Sequence, residues 1–136
     1  MQRRSLRLAL AALVALALGA AGCEVRSFRI QVPGFENMGV LGIWVWRESP
    51  TTGEYERYAQ IEFHNRFELY EGVEFLWYSF PAAEGPMYLQ TAIEHAPEAP
   101  DTVNLNLAFL RVPGSFKVTS YNASGESPLS AGTLTH

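Results

Sequence analysis

The chain has 136 residues, of which 48% are hydrophobic and 12% aromatic, and its formal net charge is −4. Such a composition excludes a disordered acidic chain, because disordered chains contain few aromatic residues. The one basic cluster, Arg3, Arg4 and Arg7, lies at the N-terminus, and the rest of the chain carries 7 basic and 14 acidic residues. A nucleic-acid-binding protein needs a basic face, so we expect no nucleic-acid partner.

The N-terminal segment has the three parts of a secretory signal. A basic stretch over residues 1–7 precedes an apolar run from Leu8 to Leu18, and small residues at 19–22 lead to Cys23. The apolar run is shorter than the roughly 20 residues that a membrane-spanning helix needs. We therefore predict a signal peptide over residues 1–22 and a single domain over residues 23–136, with a short tether at about 23–26.

Cys23 is the one cysteine of the chain, so it has no internal disulfide partner. The stretch Ala20-Ala-Gly-Cys23 resembles the lipobox of bacterial lipoproteins, in which a lipid is attached to the cysteine sulfur before cleavage in front of it. The resemblance implies that Cys23 is the lipid attachment site of a membrane-anchored cell-envelope protein, facing the periplasm or the cell exterior. A spare thiol or an intermolecular disulfide is the alternative.

Beyond Cys23, apolar and polar residues alternate with a period of two between glycine and proline residues, which is typical of strands and turns. Leu105 and Leu107, for example, alternate with Asn104 and Asn106. In chain order the pattern predicts strands over about 28–32, 40–46, 59–64, 73–78, 87–94, 103–109, 116–121 and 129–134. Seven to eight short strands at near-regular spacing predict an all-β fold, an antiparallel β-sandwich.

The segment from Phe116 to Ser130 resembles the last hairpin of fibronectin type III domains. In that family an alternating strand ends in Asn, two residues and a Gly follow, and Ser opens the last strand. Asn122, Gly125 and Ser127 would take these roles here, and Asn and Gly both suit a turn. The resemblance implies a fibronectin type III-like or immunoglobulin-like sandwich in which the strands over about 116–121 and 129–134 are paired.

Residues that could form a catalytic or metal site are few. Glu62 and His64 would share the polar face of one strand, and Glu94 and His95 adjoin at a strand end. Neither pair is accompanied by a second His or Cys cluster, a G-x-S-x-G elbow or a glycine-rich phosphate loop. We predict no catalytic residue, metal or cofactor. A small envelope hydrolase or metalloenzyme is an alternative, which requires His64 or His95 to meet carboxylates in a cleft.

The aromatic residues indicate binding. Trp44 and Trp46 share one face of a predicted strand, and exposed rings can stack on sugars or form interface hot spots. The other interpretation places Trp44, Trp46 and Trp77 in the core, which the neighbouring Gly42 and Val45 favour. We predict a non-catalytic binding or scaffolding domain for another envelope protein or a polysaccharide, with a carbohydrate-binding module as the alternative. The candidate binding residues are Trp44, Trp46, Tyr121, Asn122, Ser124 and Glu126.

Overall fold

The computed structural model describes residues 24–130 and 133–135, so the predicted signal peptide and Cys23 lie outside the described residues. Seven longer strands are β1 (Glu24–Pro33), β2 (Gly42–Glu48), β3 (Tyr55–Glu68), β4 (Glu74–Phe80), β5 (Met87–Ala92), β7 (Thr102–Arg111) and β8 (Ser115–Asn122). Three two-residue strands are β6 (Glu94–His95), β9 (Gly125–Glu126) and β10 (Leu134–Thr135), and a single 3-10 turn lies at Tyr70–Gly72.

The strands form two antiparallel sheets, which confirms the predicted all-β sandwich. The smaller sheet has the order β1-β7-β6, and the larger has the order β10-β8-β2-β3-β4-β5, with β9 also paired to β8. Variable-type immunoglobulin sandwiches have the same order, B-E-D in one sheet and G-F-C-C′-C″ in the other. Here β5 extends the larger sheet, and the described residues contain no counterpart of the first immunoglobulin strand.

Both sheets contribute alternate residues to one core. Leu105 and Leu107 of β7 are buried and Asn106 is exposed, which confirms the predicted face of this strand. The larger sheet contributes inward-facing residues from four strands, and together with β1 and β7 they form one apolar cluster. Its members from the larger sheet include Ile43, Val45, Ile61, Leu76, Tyr78, Phe80 and Phe116.

The tryptophans do not lie in the core, so the interpretation that Gly42 and Val45 favoured is wrong. Val45 faces inward on β2, and Trp44 and Trp46 therefore lie half-buried on the outer face of the larger sheet. Trp77 of β4 also faces outward and is 37% exposed. The cause is the strict alternation of side chains along a strand: a run that is apolar at every position does not reveal which set faces inward.

Strand β1 begins earlier than the sequence predicts. Residues 24–26, predicted to be a tether, pair with residues 109–111 of β7 at the start of a continuous ladder of ten residue pairs. Their side chains are exposed, and the apolar alternation therefore begins only at Phe28. The backbone pairing leaves no signal in the side-chain pattern of these residues.

The predicted hairpin near the C-terminus is confirmed. β9 and β10 both pair with β8, and between them the amides of Ser127 and Ser130 donate to carbonyls of β8. Strand geometry is interrupted near Pro128, which has no N–H to donate. Gly125 has a φ of 155°, a conformation that side chains with a Cβ rarely adopt.

Strand β7 has a full neighbouring strand along one edge alone. β1 pairs with all ten of its residues, whereas β6 covers only Val103 and Asn104 on the other edge. A buried backbone N–H or C=O without a partner is costly, so the remaining edge needs other partners. Three hydroxyls of the larger sheet supply them, and we call this set the hydroxyl latch. The bonds are Asn106 N–H to Thr91 Oγ1 (3.0 Å), Ala108 N–H to the Tyr78 hydroxyl (2.8 Å), and the Tyr58 hydroxyl to the Leu110 carbonyl (2.9 Å).

The first prediction concerns the latch. Tyr78→Phe removes the acceptor of the Ala108 amide while keeping the ring, and we expect the free energy of unfolding to fall by about 1–3 kcal/mol in denaturant titrations. Tyr88→Phe is the matched control, because Tyr88 is 56% exposed, and it should change stability by less than about 0.5 kcal/mol. Equal effects of the two substitutions would contradict the role of the latch.

Tyr78 also makes the stability of the folded protein depend on pH in the alkaline range. Burial raises the pKa of Tyr78 above its ordinary value near 10, and the hydrogen bond from Ala108 offsets part of this rise. Because the folded pKa is the higher one, the unfolded state loses its proton first as the pH rises above about 10. The natural protein should therefore lose stability faster than Tyr78→Phe in this range, as measured by unfolding at successive pH values.

Candidate functional site

The two ends of the sandwich differ. At the proximal end, β1 begins at Glu24, opposite Arg111 of β7. The loops at the distal end include residues 34–41 between β1 and β2, residues 69–73 between β3 and β4, and residues 123–124 between β8 and β9. Loops held on a rigid scaffold are common sites of recognition, so the distal end is a candidate binding surface.

Large apolar side chains are exposed at the distal end. Met38 and Leu41 of the first loop are 60% and 51% exposed, and Tyr70 of the second loop is 77% exposed. Leu69 and Val73 flank Tyr70 and are also exposed. Exposed apolar side chains on loops at one end of the sandwich make this end a candidate interaction surface.

The loop over residues 34–41 is held by Asp101, from the turn before β7. The Asp101 carboxylate accepts hydrogen bonds from the amides of Glu36 (2.8 Å) and Asn37 (2.9 Å), and its carbonyl accepts one from the amide of Phe35 (3.1 Å). Phe35 itself is buried in the core. A loop fixed in this way loses little conformational entropy on binding, so the exposed Met38 is presented at low entropic cost.

Arg66 joins the first distal loop to β4, the strand that follows the second distal loop. Its guanidinium bonds to the carboxylates of Glu36 (2.5 Å) and Glu74 (2.7 Å) and lies 5.0 Å above the ring of Phe35. The hydrogen bond to Arg66 holds the pKa of Glu36 below its ordinary value, against burial, which raises it. The carboxylate and the guanidinium therefore stay ionised together at neutral pH.

Asn122 connects the third loop to the first. Its Nδ2 donates to the carbonyl of Met38 (2.8 Å), and its Oδ1 accepts from the amides of Ser124 (2.8 Å) and Gly125 (3.0 Å). The sequence predicts Asn122 and Ser124 as binding residues. The structure places both at the distal end, where Asn122 positions the loops and Ser124 is exposed at the hairpin tip.

Trp44, Trp46 and Glu126, also predicted as binding residues, come together on the outer face of the larger sheet around Arg57. The Arg57 guanidinium carbon lies 4.4 Å from the Trp44 ring centroid and 5.3 Å from that of Trp46, and the guanidinium pairs with Glu126. Thr119 Oγ1 accepts from Trp46 Nε1 and donates to Glu126, each at 3.0 Å. The Arg57 guanidinium thus lies over the Trp44 and Trp46 rings, against which a sugar would have to stack.

Tyr121 lies beside this cluster and packs across Gly42. A Cβ at position 42 would stand 2.4 Å from the Tyr121 hydroxyl oxygen and 2.3 Å from the carbonyl oxygen of Ile61, so this close approach requires glycine. The hydroxyl accepts a hydrogen bond from Gln60 Nε2 (3.0 Å), and burial raises the pKa of Tyr121. Tyr121 is therefore tied to the sheet rather than free to follow a ligand.

His64 lines a pocket with Glu36, whose carboxylate is bonded to Arg66. His64 Nε2 is 2.6 Å from Ser79 Oγ, and the His64 ring packs against Tyr88. Ser79 is buried, which shields its hydroxyl from a substrate. Glu94 pairs with Arg29 at 2.7 Å. Within residues 24–130 and 133–135, no three His, Cys, Asp or Glu side chains are grouped closely enough to hold a metal ion.

No protein-family profile, curated protein or solved structure matches this chain. In the part of the chain that the structure describes, no helix is long and apolar enough to cross a membrane. We therefore infer function from the geometry of the two ends of the sandwich and of the outer face of the larger sheet.

The distal site also contains residues that the sequence did not single out, namely Met38, Tyr70 and Arg66. They belong to loops, or to the end of a strand, and match no motif. The available signal was the occurrence of large apolar residues next to glycines, as at Met38-Gly39 and Tyr70-Glu-Gly72.

The second prediction concerns Asn122. Asn122→Ala removes one hydrogen bond that joins two distal loops and two within the hairpin turn, and we expect the free energy of unfolding to fall by about 1–2 kcal/mol. Hydrogen exchange at the amides of Ser124 and Gly125 should also accelerate, because both amides lose their acceptor. Ser124→Ala is the control and should leave stability and exchange nearly unchanged. Unchanged exchange in Asn122→Ala would rule out the positioning role.

Proposed function

We propose that this chain is a lipid-anchored protein of the bacterial cell envelope, with Cys23 as the lipid attachment site. Its β-sandwich acts as a non-catalytic domain that binds another envelope protein through the distal end. The observation that carries the proposal is the placement of the two ends. Glu24, the residue after Cys23, lies at the proximal end, and the exposed apolar loops lie at the distal end.

The length of β1 sets the separation between anchor and binding surface. The strand runs for ten residues from Glu24 to Pro33, and the first distal loop follows it directly. At a rise of about 3.3 Å per residue, β1 spans about 30 Å. A lipid on Cys23 would hold the proximal end against the membrane, and the distal loops would face a partner about 30 Å above it.

The chemistry of the distal end favours a protein partner over a polysaccharide. Met38 and Tyr70 are of residue types enriched in protein interfaces, and the first of them is presented on a loop that is already ordered. Sugar binding needs free aromatic faces, and Arg57 lies over both Trp44 and Trp46. The exposed apolar side chains are instead suited to burial in an apolar pocket of a partner.

The third prediction tests the anchor. In bacteria that express the chain with its N-terminal segment, labelled fatty acid should enter the natural protein and be absent from Cys23→Ser. The variant should also leave the membrane fraction or stay unprocessed, because it lacks the sulfur that accepts the lipid. Ser27→Ala, a change at an exposed position of β1, should behave like the natural protein. Equal labelling of the natural protein and Cys23→Ser would refute the anchor.

The fourth prediction tests the distal surface. A photo-cross-linking amino acid at Met38 should give a discrete cross-linked product in intact cells, whereas the same group at Glu56 of β3, away from the distal loops, should not. Tyr70→Ser should reduce the Met38 product by about tenfold, as expected when a buried interface anchor worth about 1.4 kcal/mol is lost. Cross-linking of equal yield at Met38 and Glu56 would contradict a distal binding surface.

A further inference from the structure

The buried side-chain nitrogens that lack an acceptor among the described residues belong to two arginines at the proximal end. They are Nε of Arg47 and all three guanidinium nitrogens of Arg111. Arg111 is fully buried, at 0% exposure. Buried charged groups are normally paired or hydrogen-bonded, because removing them from water is costly. A guanidinium with no acceptor for any of its nitrogens therefore requires an explanation.

Aromatic rings surround the guanidinium of Arg111 without supplying an acceptor. Its central carbon lies 3.9 Å from the ring centroid of Phe28, 4.6 Å from that of Phe116 and 5.7 Å from that of Phe109. Cation–π contacts offset part of the cost of burying the charge. These contacts leave the N–H groups of Arg111 without an acceptor. The three rings therefore hold a guanidinium whose donors are unbonded.

The charge around Arg111 is also unbalanced. Burial lowers the pKa of Arg111 and the nearby positive charge of Arg26 lowers it further, while Tyr58 and Glu24 raise it by smaller amounts. The cation is thus opposed by both desolvation and a like charge. An anion placed against Arg111 would relieve both effects.

We propose that the proximal end is a binding site for a phosphate group, with Arg111 as its principal ligand and Arg26 beside it. The planar guanidinium fork matches the oxygens of a phosphate and bonds to two of them at once. The Arg111 guanidinium has five N–H donors and no acceptor among the described residues, which is more than the two oxygens of a single carboxylate accept well. A phosphate has more oxygens and a higher charge, which fits this surplus of donors.

A phosphate reaches the site past the Glu24–Arg26 ion pair. These two side chains lie on the same side of β1 as Phe28, because alternate residues of a strand share a face. Both are about half exposed, and their ion pair spans 2.6 Å. Exposed ion pairs add little to stability, so this pair can rearrange to let Arg26 turn toward the ligand.

The position of the site suggests a lipid headgroup as the source of the phosphate. This step rests on the proposed anchor at Cys23, because a lipid there would hold the proximal end at the level of the headgroups. Free phosphate offers the same chemistry, and binding of free phosphate does not depend on the anchor. An experiment with both ligands therefore tests the phosphate site and the proposed membrane anchor independently of each other.

The fifth prediction is a thermal unfolding experiment on the full chain purified in a non-ionic detergent. Inorganic phosphate or a short-chain phosphatidylglycerol is added, with sodium chloride used to match ionic strength. At a ligand concentration about ten times Kd, Tm should rise by about 5 °C. The rise should vanish in Arg111→Met and persist in Arg29→Met, which removes an equally charged, exposed side chain elsewhere on β1.

The outcomes separate as follows. A rise with both ligands supports the site and shows that free phosphate enters it, and a rise with phosphatidylglycerol alone supports a lipid headgroup as the ligand. No rise with either ligand, or an equal rise in Arg111→Met, overturns the proposal. If Arg111→Met fails to fold, broadening of the ³¹P signal of inorganic phosphate by the natural protein and its reduction in Arg26→Gln decide instead. If phosphate binds and Cys23 is not acylated, the phosphate site is supported and only the proposed anchor is refuted.

Discussion

The edge of β7 is the constraint on which the sandwich depends. This strand is buried along most of its length, and the described residues place a full strand against one edge alone. Hydroxyls of Thr91, Tyr78 and Tyr58 bond to its other edge from three strands of the opposite sheet. Packing of the two sheets therefore also supplies hydrogen-bond partners to the β7 backbone.

Side-chain alternation predicted much of the fold but not every register. β7 was predictable because Leu105 and Leu107 alternate with asparagines. β2 was not, since its residues are apolar on both faces and the choice between Val45 and Trp44 as the inward residue depends on the neighbouring strands. The start of β1 was missed for a related reason: Glu24 and Arg26 are exposed, and backbone pairing alone places them in the strand.

The candidate site was predictable only in part, because it depends on contacts between distant segments. Asn122 was identified from a turn motif, and its bonds within the turn are local. Its bond to the Met38 carbonyl joins residues 84 positions apart, and Asp101 bonds to the amide of Glu36 across 65 positions. No local pattern encodes such pairs. They exist because the order of the strands brings these loops to one end.

The start of β1 at Glu24, the residue after Cys23 in the sequence, has a mechanical consequence. If Cys23 is held in a membrane and the distal loops hold a partner, any pull between them acts along the strands. β1 joins Glu24 to the loop that carries Met38, so the covalent backbone of β1 would carry a pull on that loop, and the ten residue pairs with β7 would keep the strand in place. The domain would then serve as a stiff link between a membrane and its partner.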